Sequence, residues 1–153
     1  MRENSWQKKL ERSRYIEREI LKWYQKHIDK DAHLPATHQE EYDILSKKVG
    51  NVEVKEDRVA HQTDYYALEF ENYKGEPSGL NKTTAKEFVL VDAGFVIFIA
   101  TESLRYLIEQ SKDKRVVFMG YTTENGRRAR GWLIPRKDIL YSTYAKTLKR
   151  WFK

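Results

Sequence analysis

The side chains of this chain best suited to chemistry are two acids and one lysine. Asp43 precedes Glu53 by ten residues, and Lys55 follows Glu53 by two. Apolar and polar residues alternate around both acids, which predicts two short strands joined by a turn at 47–50. If the strands pair as a hairpin, Asp43 returns close to Glu53 on one face, with Lys55 beside them.

Two carboxylates and an ammonium group at one place suit a site for a hard cation. Carboxylate oxygens bind Mg²⁺ or Mn²⁺, and a lysine can position an attacking water or offset developing charge. However, 34% of the chain is charged, and one charged face is also what a solvated hairpin has. The pattern alone leaves the metal site and the solvated face equally open.

A third acid lies on a predicted N-terminal amphipathic helix, about residues 5–28. The apolar stripe of this helix is formed by Trp6, Leu10, Ile20, Leu21, Tyr24 and Ile28. Glu17 falls inside the stripe, where a carboxylate is costly to bury without a partner. Two partners are open on the pattern alone: a metal site at the sheet, or a nearby lysine or arginine.

The segments Tyr-Asp-Ile at 42–44 and Val-Glu-Val-Lys at 52–55 resemble the metal-dependent nuclease superfamily PD-(D/E)XK. Tyr42 stands where the name of the superfamily has proline. The resemblance implies that Asp43, Glu53 and Lys55 are the catalytic acids and the catalytic lysine, with Asp43 and Glu53 as metal ligands.

The first third of the chain, with Ile-Glu-Arg-Glu at 16–19, looks most like archaeal-type Holliday junction resolvases and their phage counterparts. That closer resemblance implies that Glu17 is a further catalytic and metal-binding acid. It also implies Mg²⁺ as cofactor, with Mn²⁺ as a substitute, and a homodimer. The expected substrate is DNA, in the form of four-way junctions.

The whole composition is that of a globular protein with a polyanionic partner. The 153 residues predict a single domain, and 40% of them are hydrophobic. The formal net charge is +6, which favours nucleic acid as partner. We expect no membrane span and no secretory signal, and the absence of cysteine suits an intracellular, cytoplasmic protein.

Positive charge is concentrated in a basic C-terminal segment, about residues 121–153. It holds nine lysines or arginines against two acids, with tryptophans and tyrosines between them. Cations interleaved with aromatics fit phosphate tracking and base stacking, although a solvated face over a core would look the same. The residues expected to bind nucleic acid are Arg127, Arg128, Arg130, Arg136 and Lys137.

The remaining pattern predicts an α/β (α+β) fold with a mixed β-sheet flanked by helices, and the resemblance implies a restriction-endonuclease-like sheet. Further strands are predicted at 64–71, 87–91, 95–100, 115–120 and 130–134. Thr101 is expected to cap a helix at 102–110, and a short basic helix is expected to close the chain.

Several weaker signals remain open. Glu69 either joins Glu53 or faces solvent, and the loop at 73–80 suits either a phosphate contact or an ordinary turn. His33 and His38 have no common zinc spacing, so we expect His38 and Gln39 to lie in a polar loop near Asp43.

These observations lead to one expected function and two alternatives. The expected function is a Mg²⁺-dependent DNA endonuclease, most specifically a Holliday junction resolvase. One alternative is a nuclease of the same fold acting on linear or damaged DNA. The other is a nucleic-acid-binding protein that keeps the fold and the basic segment without chemistry.

Overall fold

The computed structural model describes residues 5–37, 42–120 and 126–153. Eight strands lie within these ranges: β1 (Ile44–Ser46), β2 (Gly50–Glu56), β3 (Tyr65–Glu71), β4 (Glu87–Val91), β5 (Phe95–Ala100), β6 (Arg115–Met119), β7 (Ala129–Pro135) and β8 (Ala145–Lys149). Four α-helices accompany them: α1 (Ser5–His27), α2 (Ala60–Thr63), α3 (Thr101–Gln110) and α4 (Arg136–Leu140).

The strands form two sheets. The larger sheet has the order β1-β2-β4-β5-β8. Within it β2 and β4 run parallel, whereas the other neighbours run antiparallel. The smaller sheet is antiparallel, with the order β3-β7-β6. The predicted α+β class with a mixed sheet and flanking helices is therefore confirmed.

The larger sheet is covered on both faces, which explains the uninterrupted apolar sequence of its central strands. Along β4, Val89 and Val91 pack into a core shared with α1. Their neighbours Phe88 and Leu90 point the other way, into a core shared with α3, β3 and β7. All four are at most 2% exposed, and each such burial contributes about 1.5–3 kcal/mol.

Helix α1 lies on the first of these two faces. Its buried residues Ile16, Ile20 and Tyr24 recur at intervals of four, as an amphipathic helix requires. Trp6, which was predicted in the same stripe, is 65% exposed, because the packed part of the helix begins only at Ile16. Of the helices within the described ranges, none has the length and apolarity needed to cross a membrane.

Two local predictions were wrong. Thr101 is the first residue of α3 rather than its cap; Ala100 occupies the cap position, and no side chain bonds there. The basic segment does not close as a helix either, because α4 spans only Arg136–Leu140 and β8 follows it. Strand β8 pairs with β5 along its length, from Phe95 opposite Lys149 to Ile99 opposite Ala145, and so completes the larger sheet.

Candidate active site

The hairpin of β1 and β2 brings Asp43 back beside β2, close enough to Glu53 for their charges to interact. Ile44 lies opposite Val52, and Asp43 directly precedes this pair. The backbone N–H of Asp43 donates to the carbonyl of Val52 (2.9 Å). The N–H of Val54 in turn donates to Asp43 Oδ2 (2.8 Å). The Asp43 carboxyl is thereby held against the edge of β2.

Glu53 and Lys55 project from β2 on the face away from α1. Val52 and Val54 pack into the core beneath α1, so strand alternation turns the intervening Glu53 and the following Lys55 to the opposite face. Lys55 Nζ lies 3.5 Å from Glu53 Oε1, and the lysine side chain is 54% exposed. Glu53 Oε2 is buried and has no hydrogen-bond partner within the described part of the chain. A buried carboxylate oxygen of this kind can accept a hydrogen bond or bind a cation.

Glu17 reaches the same edge of β2 from the α1 side. Its carboxyl group is hydrogen-bonded to that of Asp43. Burial, the negative charge of Asp43 and this hydrogen bond raise the pKa of Glu17 to about 7, against a smaller opposing effect of Lys55 and Arg14. Burial also raises the pKa of Asp43. Glu17 thus lies beside an acid of the predicted site and also beside two cations, Lys55 and Arg14, so both partners left open by the sequence stay open.

The donor chemistry of this cluster fits a hard cation. Glu17, Asp43 and Glu53 offer only carboxylate oxygens, which Mg²⁺ and Mn²⁺ prefer, and Glu53 contributes the unpartnered oxygen described above. Within the described ranges, however, no three acidic or histidine side chains are grouped as metal ligands. Glu17 stands on α1, on the first face of the larger sheet, whereas Glu53 lines the cleft on the second face. Mg²⁺ commonly takes only one or two carboxylates together with water and substrate phosphate, the number that Asp43 and Glu53 would supply.

A depression of about 440 Å³ opens on the α1 side of the cluster. Its lining brings Arg14 and Arg18 next to Glu17 and Asp43. Arg14 was not predicted as a site residue. Its position three residues before Glu17 on a helix could have indicated that the two side chains are neighbours. The lining of this depression therefore places two cations beside two carboxylates.

The five predicted nucleic-acid-binding residues fall into two groups. Arg127, Arg128 and Lys137 are exposed. The first two line a surface depression together with Tyr73 and Phe118, and Phe118 is 67% exposed. Arg127, Arg128 and Lys137 therefore present positive charge at the protein surface, and Phe118 adds a ring beside the two arginines.

The other two arginines are committed to ion pairs within the protein. Arg130 Nε donates to a carboxylate oxygen of Glu71 on β3. Arg136 Nε donates to Asp92 Oδ2 (2.9 Å), and the Asp92 side chain is completely buried. Tyr66 donates to the same oxygen. Arg136 thus joins the small sheet to the β4–β5 turn, and it contributes less to surface charge than the sequence count implied.

The weaker signals resolve in part. Glu69 lines a cleft with Glu53 on the second face of the sheet, and its Oε2 accepts a hydrogen bond from Ser78 Oγ (2.8 Å). Ser78 precedes a short 3₁₀ turn rather than an α-helix. His33 forms a backbone bridge with Leu45. His38 and Gln39 lie outside the described residues.

Glu17→Gln is expected to stabilise the metal-free protein at alkaline pH. The folded chain holds the Glu17 proton up to a pKa of about 7, against an ordinary 4.5. This group therefore favours folding fully below pH 4.5, and its contribution is lost as the pH rises through 7. Because Glu17 is partly exposed, we expect the substitution to raise the free energy of unfolding at pH 8 by on the order of 1–2 kcal/mol, and Tm by about 4 °C.

The measurement is thermal unfolding in chelator at pH 5 and pH 8. The difference between variant and wild type should be small at pH 5 and appear at pH 8. Glu19→Gln is the matched control, because Glu19 lies on the same helix in a surface pair with Lys22. A lower Tm for Glu17→Gln at pH 8 would mean that the charged form of Glu17 is well solvated or paired.

No family model, curated protein or solved structure matches this chain. The resemblance to PD-(D/E)XK nucleases therefore rests on the residues at 42–44 and 52–55 and on Glu17. The roles that it implies for these residues remain predictions, which the geometry of the site allows to be tested one side chain at a time.

Proposed function

We propose that the chain is a metal-dependent DNA endonuclease that cuts branched DNA in the manner of a Holliday junction resolvase. The observation that supports the proposal is the hairpin of β1 and β2, in which Asp43 accepts a hydrogen bond from Val54 on the strand that carries Glu53, with Lys55 Nζ 3.5 Å from Glu53 Oε1. The charge of +6 supports a polyanionic substrate.

Each residue of the cluster has a role that follows from its contacts. Asp43 and Glu53 would hold Mg²⁺ or Mn²⁺, which when bound polarises the scissile phosphate and acidifies a water molecule. Lys55, exposed on one side of Glu53, offsets negative charge that develops on the phosphate. Glu17 orients the Asp43 carboxyl through their hydrogen bond and gives up its proton when both acids must be charged.

The proposal is tested by comparing a four-way junction with a linear duplex of the same arm sequences. With Mg²⁺ or Mn²⁺ we expect paired nicks near the crossover, and tighter binding of the junction than of the duplex. Cutting should be absent in chelator. Equal cutting of both substrates would leave a metal nuclease of another specificity. Binding without cutting in either metal would leave only a nucleic-acid-binding protein.

A homodimer is part of this proposal, because symmetric nicks require two active sites and the described part of one chain offers one such cluster. Twofold dimers are the commonest closed assemblies. Strand β5 is buried between β4 and β8, so its apolar residues are not available for a dimer interface. The exposed aromatics Tyr144 and Trp151 therefore form the better candidate surface. Sedimentation of a dimer at micromolar protein supports the proposal, and sedimentation of a monomer alone and on the junction contradicts it.

Salt dependence should identify the cations that contact DNA. We expect the double variant Arg127→Gln, Arg128→Gln to reduce the slope of log affinity against log salt by about 2, since each phosphate contact contributes roughly 1. Arg130→Gln should change the slope less, because Glu71 already neutralises Arg130. The control is Lys26→Gln, Lys30→Gln, which removes two exposed cations outside the basic segment. An unchanged slope in the arginine variant would remove this surface from the DNA interface.

A further inference from the structure

The cleft on the second face of the larger sheet has no role in the function proposed so far, although the candidate active site borders it. It has a volume of about 270 Å³ and lies between β2 and the small sheet. Its floor is apolar and includes Leu68, Leu80, Phe88, Leu90 and Met119. Its rim is polar, and two residues of that rim, Glu53 and Lys55, also belong to the candidate active site. Whatever enters the cleft therefore lies directly beside the proposed chemistry.

The walls of the cleft are held in place from both sides. The N–H of Ala67 on β3 donates to Asp57 Oδ2 (3.0 Å), which ties this wall to the end of β2. On the other side, Arg105 Nη2 donates to the carbonyl of Leu80 (2.6 Å). Gly79 adopts a φ of +48°, and a Cβ there would collide with the carbonyl oxygen of Glu69. A glycine is thus required for the close approach of this turn to β3, and the cleft is preorganised.

The chemistry of the lining selects a neutral ring rather than a phosphate. The lining holds the carboxylates of Glu53, Glu56, Asp57 and Glu69 against the single ammonium group of Lys55. Glu56 is paired with Arg12 and Arg58, and the remaining excess of negative charge repels phosphate. Asp57 already accepts backbone N–H groups, whereas Glu69, bonded to Ser78 through Oε2, has a second oxygen that can accept the N–H of a flat heterocycle, as Glu and Asp do with the exocyclic amine of cytosine. The volume lies just below that of pockets for drug-sized ligands, which suits one nucleobase.

We propose that this cleft receives the base of a nucleotide adjacent to the scissile phosphate, after that base has left the helical stack. The proposal rests on the proposed nuclease function and names its substrate class. The enzyme would act on DNA in which a nucleotide beside the cut is unpaired or easily unstacked, as at a junction crossover. Unstacking costs less at such positions than within a matched duplex, which provides discrimination between the two.

The test places 2-aminopurine, whose fluorescence rises when it is unstacked, at each position around the crossover of a junction. Binding is measured in chelator, where no cutting occurs. We expect a fluorescence rise of several-fold at one position beside the mapped cut. Replacing that nucleotide by an abasic analogue should weaken binding by about tenfold, the loss typical of a stacked base. This comparison uses the wild-type protein with two substrates, so its outcome does not depend on the folding of a variant.

Ala67→Phe adds a ring at a residue that lines the cleft and should abolish the fluorescence rise, while Ala67→Ser at the same position should preserve it. Thermal unfolding verifies that both variants are folded; if Ala67→Phe is not, the abasic substrate decides. A rise that survives in folded Ala67→Phe, or no rise at any position with wild type, overturns the base-binding cleft. If the junction is cut but no fluorescence rise is seen, base binding in the cleft is overturned and the nuclease function is not. A rise without cutting in Mg²⁺ or Mn²⁺ supports the cleft and overturns the nuclease.

Discussion

Asp43→Asn should reduce single-turnover cleavage of a junction by at least about 10³-fold and leave DNA binding intact or tighter. The asparagine keeps an oxygen that can accept the N–H of Val54, which Asp43 Oδ2 now accepts at 2.8 Å. The hairpin should therefore keep its register. What is lost is the negative charge that a cation needs as a ligand. Binding should not weaken, because a carboxylate beside phosphate is repulsive.

Glu53→Gln should have the same effect on cleavage for the same reason, since the buried Glu53 Oε2 loses its charge. The measurements are cleavage rate, junction affinity and Tm for each variant. Asp31→Asn, at an exposed position of the loop after α1, is the control and should cut at the wild-type rate. If Asp43→Asn or Glu53→Gln also cuts at that rate, the cluster is not the active site.

Lys55→Ala should reduce cleavage by roughly 10²–10³-fold, the usual cost of removing one group that stabilises transition-state charge. Its affinity for Mn²⁺ should change little or increase, because the ammonium group now lies 3.5 Å from Glu53 Oε1 and competes with a cation. Stability should be nearly unchanged, since the side chain is half exposed. Cleavage and Mn²⁺ titration are measured on the same preparation.

Lys47→Ala provides the comparison, because Lys47 is an exposed lysine in the turn of the same hairpin. It should leave both quantities unchanged. An equal loss of Mn²⁺ affinity and cleavage in Lys55→Ala would assign to Lys55 the task of holding Glu53 in place. Wild-type cleavage by Lys55→Ala would remove it from the chemistry.

Local patterns predicted the parts of the fold whose residues are buried by near neighbours. Strands β4 and β5 have uninterrupted apolar sequences because both faces of the larger sheet are covered. Strand β8 has no such signal. The burial of its residues alternates only weakly, and Leu148 is its one strongly apolar residue. The segment therefore forms a strand because it pairs with β5, and not because of its own composition. The separation of β3 and β7 into a second sheet likewise depends on a long-range pairing.

Local patterns likewise predicted some contacts of the candidate site and missed others. The proximity of Asp43 and Glu53 follows from one hairpin register, which alternation and turn position determine. The position of Glu17 on the packed side of α1 follows from helical periodicity. By contrast, the ion pair of Arg136 with Asp92 joins residues 44 apart. A count of charges therefore treated Arg136 as a surface cation, although it is largely buried.

The late position of β8 has a consequence for synthesis of the protein on the ribosome. Strand β5 is complete at Ala100, whereas the neighbour that covers its other edge begins only at Ala145. During the intervening elongation the nascent chain carries an apolar strand with an unpaired edge, the feature that most readily recruits strands from other chains. Codons that slow translation between these two points should therefore increase aggregation of newly made protein, and a chaperone that shields β5 should suppress it.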